Sequence, residues 1–364
     1  MLLNTVRHLS LKSRVFHTVE GSWTKSHLFK GILKVFHSTM ERPKILITRS
    51  DVPQAGIDLL SKTCDVKIWD KTEPIPRADL LSMIRGVDGV FCLLTDKIDE
   101  EILSAAGPQL KAVATMSVGY DHLDLKALKA HNIRVGYTPG VLTDATSELA
   151  VALLLATSRR ICESAQALRA GKWTSWSPSF MCGPGLANST VGIVGLGRIG
   201  FRVAEYLKSF RLSRILYTSR TEKPEAMVFG GQHRALDTLL AESDFVIATI
   251  ALTSETREMF NKSAFSKMKK TAIFINVSRG EIVDQPALID ALKNGTIRAA
   301  GLDVMTPEPI PLDHELLKLD NCVLVPHIGS AALEAREKMS IITAENILAV
   351  LEGKPEKMPA PLQL

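Results

Sequence analysis

The chain has 364 residues, 46% hydrophobic and 23% charged, enough for two globular domains of ordinary size. Its longest apolar stretch, near Leu149 to Ala156, is far too short to span a bilayer, so no membrane partner is expected. The net charge of +5 sits at one end: residues 1–40 hold six Lys and Arg against one acid, Glu20, which leaves the remainder neutral and argues against a nucleic-acid partner.

The same leader carries four of the nine histidines and several hydroxyl residues. This composition suits a mitochondrial transit peptide, so the location is read as cytoplasmic or mitochondrial. A disordered extension, with Met40 as an alternative start, explains it equally well. The folded body is expected from about Glu41. Five cysteines, Cys64, Cys92, Cys162, Cys182 and Cys322, form no C-x-x-C pair and read as reduced thiols rather than a disulfide framework or metal site.

From there strand alternates with helix. Residues 44–48 form a short apolar strand, 54–61 a helix behind Pro53, and 65–69 a second strand. A helix over 77–85, a strand over 89–94, a helix over 100–106 and strands over 111–115 and 133–137 follow. This alternation implies parallel βαβ units. Residues 143–160 give the longest helical pattern, with Asp144 placed to cap it and Leu149, Ala152, Leu153 and Ala156 on one face. Residues 171–186 form a Gly/Pro/Trp-rich loop. A second series of strands, 191–194, 214–218, 245–250, 272–277, 299–304 and 322–325, fits a six-stranded doubly wound Rossmann sheet, and a last helix covers 333–351. Five strands without a phosphate loop, then six with one, predict two α/β domains with the site in the cleft between them.

The phosphate loop is the turn after residues 191–194, Gly195-Leu196-Gly197-Arg198-Ile199-Gly200. It is G-x-G-x-x-G between a strand and a helix over 198–210, the context that a dinucleotide fingerprint requires. Gly195 permits the tight turn, Gly197 lets a pyrophosphate approach, and Gly200 lets the helix lie close to the strand. Where an NAD-binding sheet carries an acid at the end of its second strand, this chain reads Ser219-Arg220-Thr221, with no acid until Glu222. A hydroxyl and a guanidinium there favour the 2′-phosphate of NADP(H), with NAD(H) as the weaker alternative.

Three chemical groups fall after strands of the same series: Arg279, Glu308 and His327. Carboxyl ends of strands line the ligand crevice of such sheets. Reducing a 2-oxo acid needs a hydride and a proton. A histidine can supply the proton, a neighbouring carboxylate favours its imidazolium, and an arginine can hold the substrate carboxylate. Each has an ordinary reading as well: a surface arginine, a rigid Pro-Glu-Pro turn, a structural histidine. Their joint placement favours a site. In the first series, Ser117, Val118 and Gly119 form a small-residue loop that reads either as a nest for a carboxylate or as an ordinary βα turn. No cluster of metal-ligand residues accompanies them.

With these stretches in view, the chain resembles the D-isomer-specific 2-hydroxyacid dehydrogenases, most closely the branch that reduces glyoxylate and hydroxypyruvate. Beside the fingerprint, the matching stretches include Met116-Ser-Val-Gly-Tyr-Asp-His-Leu, Tyr137-Thr-Pro-Gly-Val-Leu-Thr-Asp, Lys172-Trp-Thr-Ser-Trp, Leu216-Tyr-Thr-Ser-Arg, Ile275-Asn-Val-Ser-Arg-Gly, Ala300-Gly-Leu-Asp-Val, Pro307-Glu-Pro and Pro326-His-Ile-Gly-Ser. They span nearly everything after Met40. The resemblance implies His327 as acid/base, Glu308 as its partner and Arg279 as substrate anchor, with Ser117, Val118 and Gly119 meeting the substrate carboxylate. It places Asp303 near the nicotinamide amide, with Val277 and Gly329 lining the cofactor pocket. It implies a homodimer with the Trp173–Trp176 loop reaching toward the partner subunit. It further implies a Rossmann coenzyme domain over 141–332 and a flavodoxin-like substrate domain over 41–140 and 333–364, with the last helix folding back. Two rival functions share these features: a nucleotide-sensing corepressor-like scaffold, and a dehydrogenase of phosphoglycerate or lactate.

Overall fold

The computed structural model describes residues 41–364; the basic leader and the targeting reading placed on it lie outside the described residues. The first run of elements is β1 (Lys44–Ile47), α1 (Gln54–Ser61), β2 (Asp65–Ile68), α2 (Arg77–Met83), β3 (Gly89–Cys92), α3 (Glu100–Ala106), β4 (Ala112–Thr115), α4 (Leu125–Ala130) and β5 (Arg134–Gly136). Helices α5 (Thr143–Ser158) and α6 (Ile161–Arg169) lead to β6 (Thr190–Val194), α7 (Arg198–Leu207), β7 (Arg214–Thr218), β8 (Gly231–His233), α8 (Leu236–Glu242) and β9 (Phe245–Ala248). Then come α9 (Lys262–Lys267), β10 (Ile273–Asn276), α10 (Gln285–Lys293), β11 (Ala299–Leu302), β12 (Cys322–Leu324), α11 (Leu333–Leu351) and β13 (Pro361–Leu362).

Two α/β sheets result. The first runs β13-β5-β4-β3-β1-β2, with β1 to β5 parallel in the flavodoxin-like order and β13 antiparallel on β5. The second runs β12-β11-β10-β9-β6-β7-β8 and is parallel throughout. Its order is the doubly wound Rossmann order with β12 added at one edge. Each sheet thus has one strand more than the sequence reading. Strand β8 is three polar-flanked residues, and β13 is a proline and a leucine near the chain end; neither has an apolar run to announce it. The central strands β3, β4, β9, β10 and β11 are buried at every position, because helices cover both faces. Edge strand β2 instead alternates between exposed and half-buried.

Helix α11 packs on α1 and on β3, β4 and β5 of the first sheet. Its Ala335, Met339, Ala344 and Ile347 share a core with Ile45, Ile47 and Phe91. The approach to α1 is close: Ser340 donates its hydroxyl to Pro53 O at 2.8 Å, and a Cβ on Gly56 would lie 2.6 Å from Ser340 O. Gly56→Ala therefore pries α1 from α11, and urea unfolding is expected to show a loss of about 1–3 kcal/mol, the usual cost of overpacking.

Helix α5 corrects two expectations. Asp144 does not cap it; the N-cap is Leu142, without a side-chain bond, and the Asp144 carboxylate lies 2.8 Å from Arg202 Nε. The buried stripe is Thr146, Ser147, Ala150, Leu153, Leu154, Thr157 and Ser158, while Ala152 is exposed and Leu149 and Ala156 are half-buried. The cause is proximity. A Cβ on Gly301 of β11 would lie 2.5 Å from Thr157 Oγ1 and 2.9 Å from Leu153 Cγ, so the helix lies close on the strand and small hydroxyl residues share its buried face with the leucines. Thr157 and Ser158 satisfy their hydroxyls on carbonyls of their own helix, which makes them tolerable in a core that apolar periodicity does not reveal. Among the described residues no helix is long and apolar enough to cross a membrane.

Candidate active site

At the second sheet's switch point, between β6 and β9, the chain turns at Gly195 with φ 99°. A side chain there would press Ile250 and Thr249 O. The Gly195 carbonyl accepts Thr249 Oγ1–H at 2.6 Å. At Gly200 a Cβ would run into that same carbonyl, so α7 can start directly against the turn. Gly197 is different: no atom lies within 4 Å of the place a Cβ would take, and it caps α7 with no side-chain bond. Open space before a bare helix N-terminus is what a pyrophosphate needs, so the loop fits a dinucleotide. Gly197, Arg198 and Ile199 line the cleft, whereas Leu196 is buried in the second sheet's core. Residues Ser219, Arg220 and Thr221 lie one strand away, where Gly195 N–H donates to Thr218 O at 2.9 Å. Ser219 donates its hydroxyl to Thr221 O at 2.6 Å, and Arg220 is exposed.

After β10, Asn276 fastens the next turn by donating to Arg279 O at 2.9 Å and accepting Ser278 N–H at 3.0 Å. The Arg279 guanidinium donates Nε–H to Asp121 Oδ1 at 3.0 Å and Nη1–H to Ser278 O at 2.9 Å. It lies against Gly119, where any Cβ would overlap it. Burial works against the Asp121 carboxylate, but the Arg279 charge holds it below the usual range.

After β12, His327 adopts a left-handed φ of 52° and donates its backbone N–H to Asp303 O at 2.8 Å. Its Nδ1 lies 2.8 Å from Glu308 Oε2, and Glu308 Oε1 accepts Met305 N–H at 3.0 Å. Burial raises the Glu308 pKa, yet the bond and charge of His327 outweigh it and keep the carboxyl below its ordinary range. Because an ionised carboxylate only accepts, Nδ1 carries the hydrogen and Nε2 is left for the cleft. Asp303 is buried and spends both oxygens on the same turn, accepting Ile328 N–H at 2.7 Å and Gly329 N–H at 2.9 Å. Burial pushes its carboxyl up.

Asp121, Arg279, Asp303 and His327 line one cleft of about 430 Å³, together with Val277, Gly329 and the loop of Ser117, Val118 and Gly119 after β4, while Glu308 reaches it only through His327. Among the described hydrogen bonds none uses the N–H groups of those three loop residues. The cleft therefore joins a proton-bearing imidazole, a guanidinium and free N–H donors beside a dinucleotide loop. That set can hold a carboxylate and protonate an oxygen next to it. Two cleft residues escaped the sequence reading. Asp121 pairs with Arg279 across 158 positions, and Arg336 of α11 is half-buried, its ionisation depressed by burial. Neither belongs to a spacing pattern. No group of His, Cys, Asp and Glu able to hold a metal ion occurs among the described residues.

Residues 151–329 match the family described as D-isomer specific 2-hydroxyacid dehydrogenase, NAD binding domain. A protein of Mus musculus named glyoxylate reductase/hydroxypyruvate reductase is 50% identical over 88% of this chain and 98% of its own length. A solved structure of a Thermus thermophilus protein superposes with a TM-score of 0.82 at 41% identity, covering 88% of this chain and all of its own. A second, an NADPH-dependent glyoxylate/hydroxypyruvate reductase from Sinorhizobium meliloti in complex with NADP and malonate, has a TM-score of 0.76 at 30% identity, covering 88% of this chain and 97% of its own.

Proposed function

The chain belongs to the D-isomer specific 2-hydroxyacid dehydrogenase family, and from that premise we propose that it reduces glyoxylate to glycolate and hydroxypyruvate to D-glycerate with NADPH. The observation that carries the reading is His327, bonded to Glu308 at 2.8 Å, in one cleft with Arg279 and the free N–H groups of 117–119.

A dinucleotide held at this loop would supply the hydride that the substrate's carbonyl carbon takes up. The protein does the rest. The N–H groups of Ser117, Val118 and Gly119 and the Arg279 guanidinium take the substrate carboxylate, and Arg279 polarises the neighbouring carbonyl. The developing alkoxide takes its proton from His327 Nε2. Glu308, bonded at Nδ1, fixes the ring and stabilises the imidazolium that gives the proton up. The Gly195 to Gly200 loop would hold the pyrophosphate on the N-terminus of α7, and Arg220 would meet the 2′-phosphate. Val277, Asp303 and Gly329, which line the same cleft, would border the nicotinamide. Residues 41–140 with 333–364 serve as the substrate domain, and 141–332 as the coenzyme domain.

Purified protein assayed with NADPH and a panel of 2-oxo acids tests the reaction; no turnover of either glyoxylate or hydroxypyruvate defeats it. Gly119→Ala tests the anchor. An added Cβ displaces the Arg279 guanidinium, so the expected result is a KM for glyoxylate raised about 10-fold, as for a lost hydrogen bond to a charged group, with the KM for NADPH unchanged.

The assembly is a homodimer in this reading. Ile161 and Leu168 of α6, with Trp173, Trp176 and Phe180 beyond it, are exposed apolar side chains clustered on one stretch, as an interface would leave them in a single subunit. Sedimentation as a monomer would rule that out. The leader directs the protein to mitochondria in one reading and leaves it in the cytoplasm in the other; a reporter fused to residues 1–39 decides between them.

A further inference from the structure

We propose that His122 is a positioning residue that sets, through Thr115 and Ser117, the loop receiving the substrate carboxylate. The role rests on the reading of residues 117–119 given above.

Three contacts join these side chains. Ser117 Oγ lies 2.6 Å from Gly119 O, Thr115 Oγ1 lies 2.8 Å from Ser117 Oγ, and His122 Nε2 lies 3.0 Å from Thr115 Oγ1. Counting hydrogens gives the chain one direction. A carbonyl only accepts, so the single hydroxyl hydrogen of Ser117 goes to Gly119 O. Ser117 Oγ must then accept from Thr115, which spends the only hydroxyl hydrogen of Thr115. Thr115 Oγ1 in turn accepts, so the hydrogen between it and the ring belongs to His122 Nε2. The reverse arrangement would set two hydroxyl oxygens 2.8 Å apart with no hydrogen between them.

The rest of the ring agrees. His122 Nδ1 is buried and has no hydrogen-bond partner, which a bare lone pair tolerates better than an N–H would. Burial, aided by the charge of Arg279 and opposed by Asp121, holds the imidazole neutral, with its pKa lowered to about 4. A neutral ring has one N–H, and the chain of contacts assigns it to Nε2.

The consequence falls on the loop. Thr115 and Ser117 are buried at the end of β4, and Ser117 O accepts Thr138 N–H at 2.9 Å. Held at both its carbonyl and its hydroxyl, Ser117 closes the turn upon Gly119 and leaves the N–H groups of 117, 118 and 119 unpaired. The same Gly119 backbone supports the Arg279 guanidinium, and Asp121, beside His122, binds it. His122 itself does not line the cleft, so it acts only through the residues it orders.

The test uses the NADPH-bound enzyme. Nitrogen-15 spectra of histidine-labelled protein at neutral pH are expected to show His122 protonated at Nε2 and bare at Nδ1; the opposite tautomer overturns the assignment. Thr115→Val and His122→Leu should each raise the KM for glyoxylate about 10-fold, the scale of one lost hydrogen bond, while kcat and the KM for NADPH stay within about threefold. His122→Gln, whose Nε2–H can reach Thr115, should restore the KM to within about threefold. The double variant Thr115→Val/His122→Leu should be no worse than the poorer single one, as for links of one chain. If Thr115→Val or His122→Leu fails to fold, Thr115→Ala or His122→Phe takes its place, with the same expected rise in KM. An active wild type with unchanged KM in these variants overturns the role alone. A wild type that reduces no 2-oxo acid overturns the reaction, and this role with it.

Discussion

His327→Ala is expected to lower kcat for glyoxylate by about 10²-fold or more, the scale for removing a general acid, while NADPH binds as before. The ring does two things in the structure, and they can be separated. Its Nδ1–H is committed to Glu308 at 2.8 Å, and only Nε2 is left to act on a substrate. His327→Asn is the informative companion. Asparagine accepts the left-handed φ of 52° and can still donate to Glu308, but it holds no proton to give. It should therefore be as inactive as the alanine variant while unfolding at a temperature close to wild type. Near-wild-type turnover in either variant removes His327 from the reaction.

Glu308 supplies the matching pH experiment. Its carboxyl is held below the ordinary range by the bond to His327, in spite of burial. A depressed carboxyl contributes stability that is present above its unfolded pKa and is lost as pH falls through the folded value. Acid therefore weakens the pair from the glutamate side. In Glu308→Gln the imidazolium loses its anionic partner, so the alkaline limb of the reductive rate profile should move down by about one pH unit. A profile that stays in place would show that the 2.8 Å contact has no part in holding the proton.

Much of this site was legible because its parts are local in sequence. Gly195, Gly197 and Gly200 act within six residues, and each shows the constraint expected of it: a positive φ, open space, and close contact with the strand turn. Arg279, Glu308 and His327 were legible as residues following strands, since parallel strands all end on one edge. What sequence reading missed is held together across the fold. Asp121 meets Arg279 only because β4 and β10 end at the same cleft. Asp303 was read from resemblance as a cofactor neighbour; what the structure shows is that it accepts from Ile328 and Gly329 and holds the His327 turn. Of the face read for α5 only Leu153 is buried; the rest was misplaced because the face close to β11 also holds small hydroxyl residues, which carry no apolar signal. The return of α11 to the first sheet came from resemblance alone. Nothing in its own sequence says which sheet its apolar side meets.

Arg220→Asp is expected to reduce the ratio of kcat/KM for NADPH over NADH by about 10²-fold, the joint effect of losing a charge-assisted contact and adding a repelling carboxylate. The wild type should prefer NADPH. Strand β7 ends beside the phosphate loop, as the bond from Gly195 N–H to Thr218 O shows, so the residues after it lie where the adenosine ribose sits in sheets of this order. The hydroxyl hydrogen of Ser219 is already given to Thr221 O, which leaves Arg220 as the group best able to meet a phosphate. Its guanidinium is exposed and makes no ion pair among the described residues, so it is free to turn toward a ligand. Glu222, two residues on and also exposed, is the competing influence; were it the group that meets the ribose, NADH would be preferred and Glu222→Gln would shift the ratio more than Arg220→Ala. Salt offers a second axis. An Arg220–phosphate contact in solvent is screened, so the NADPH preference should narrow as ionic strength rises, while the KM for NADH hardly moves. Equal kcat/KM for the two cofactors in the wild type, or an unchanged ratio in Arg220→Asp, would refute the assignment.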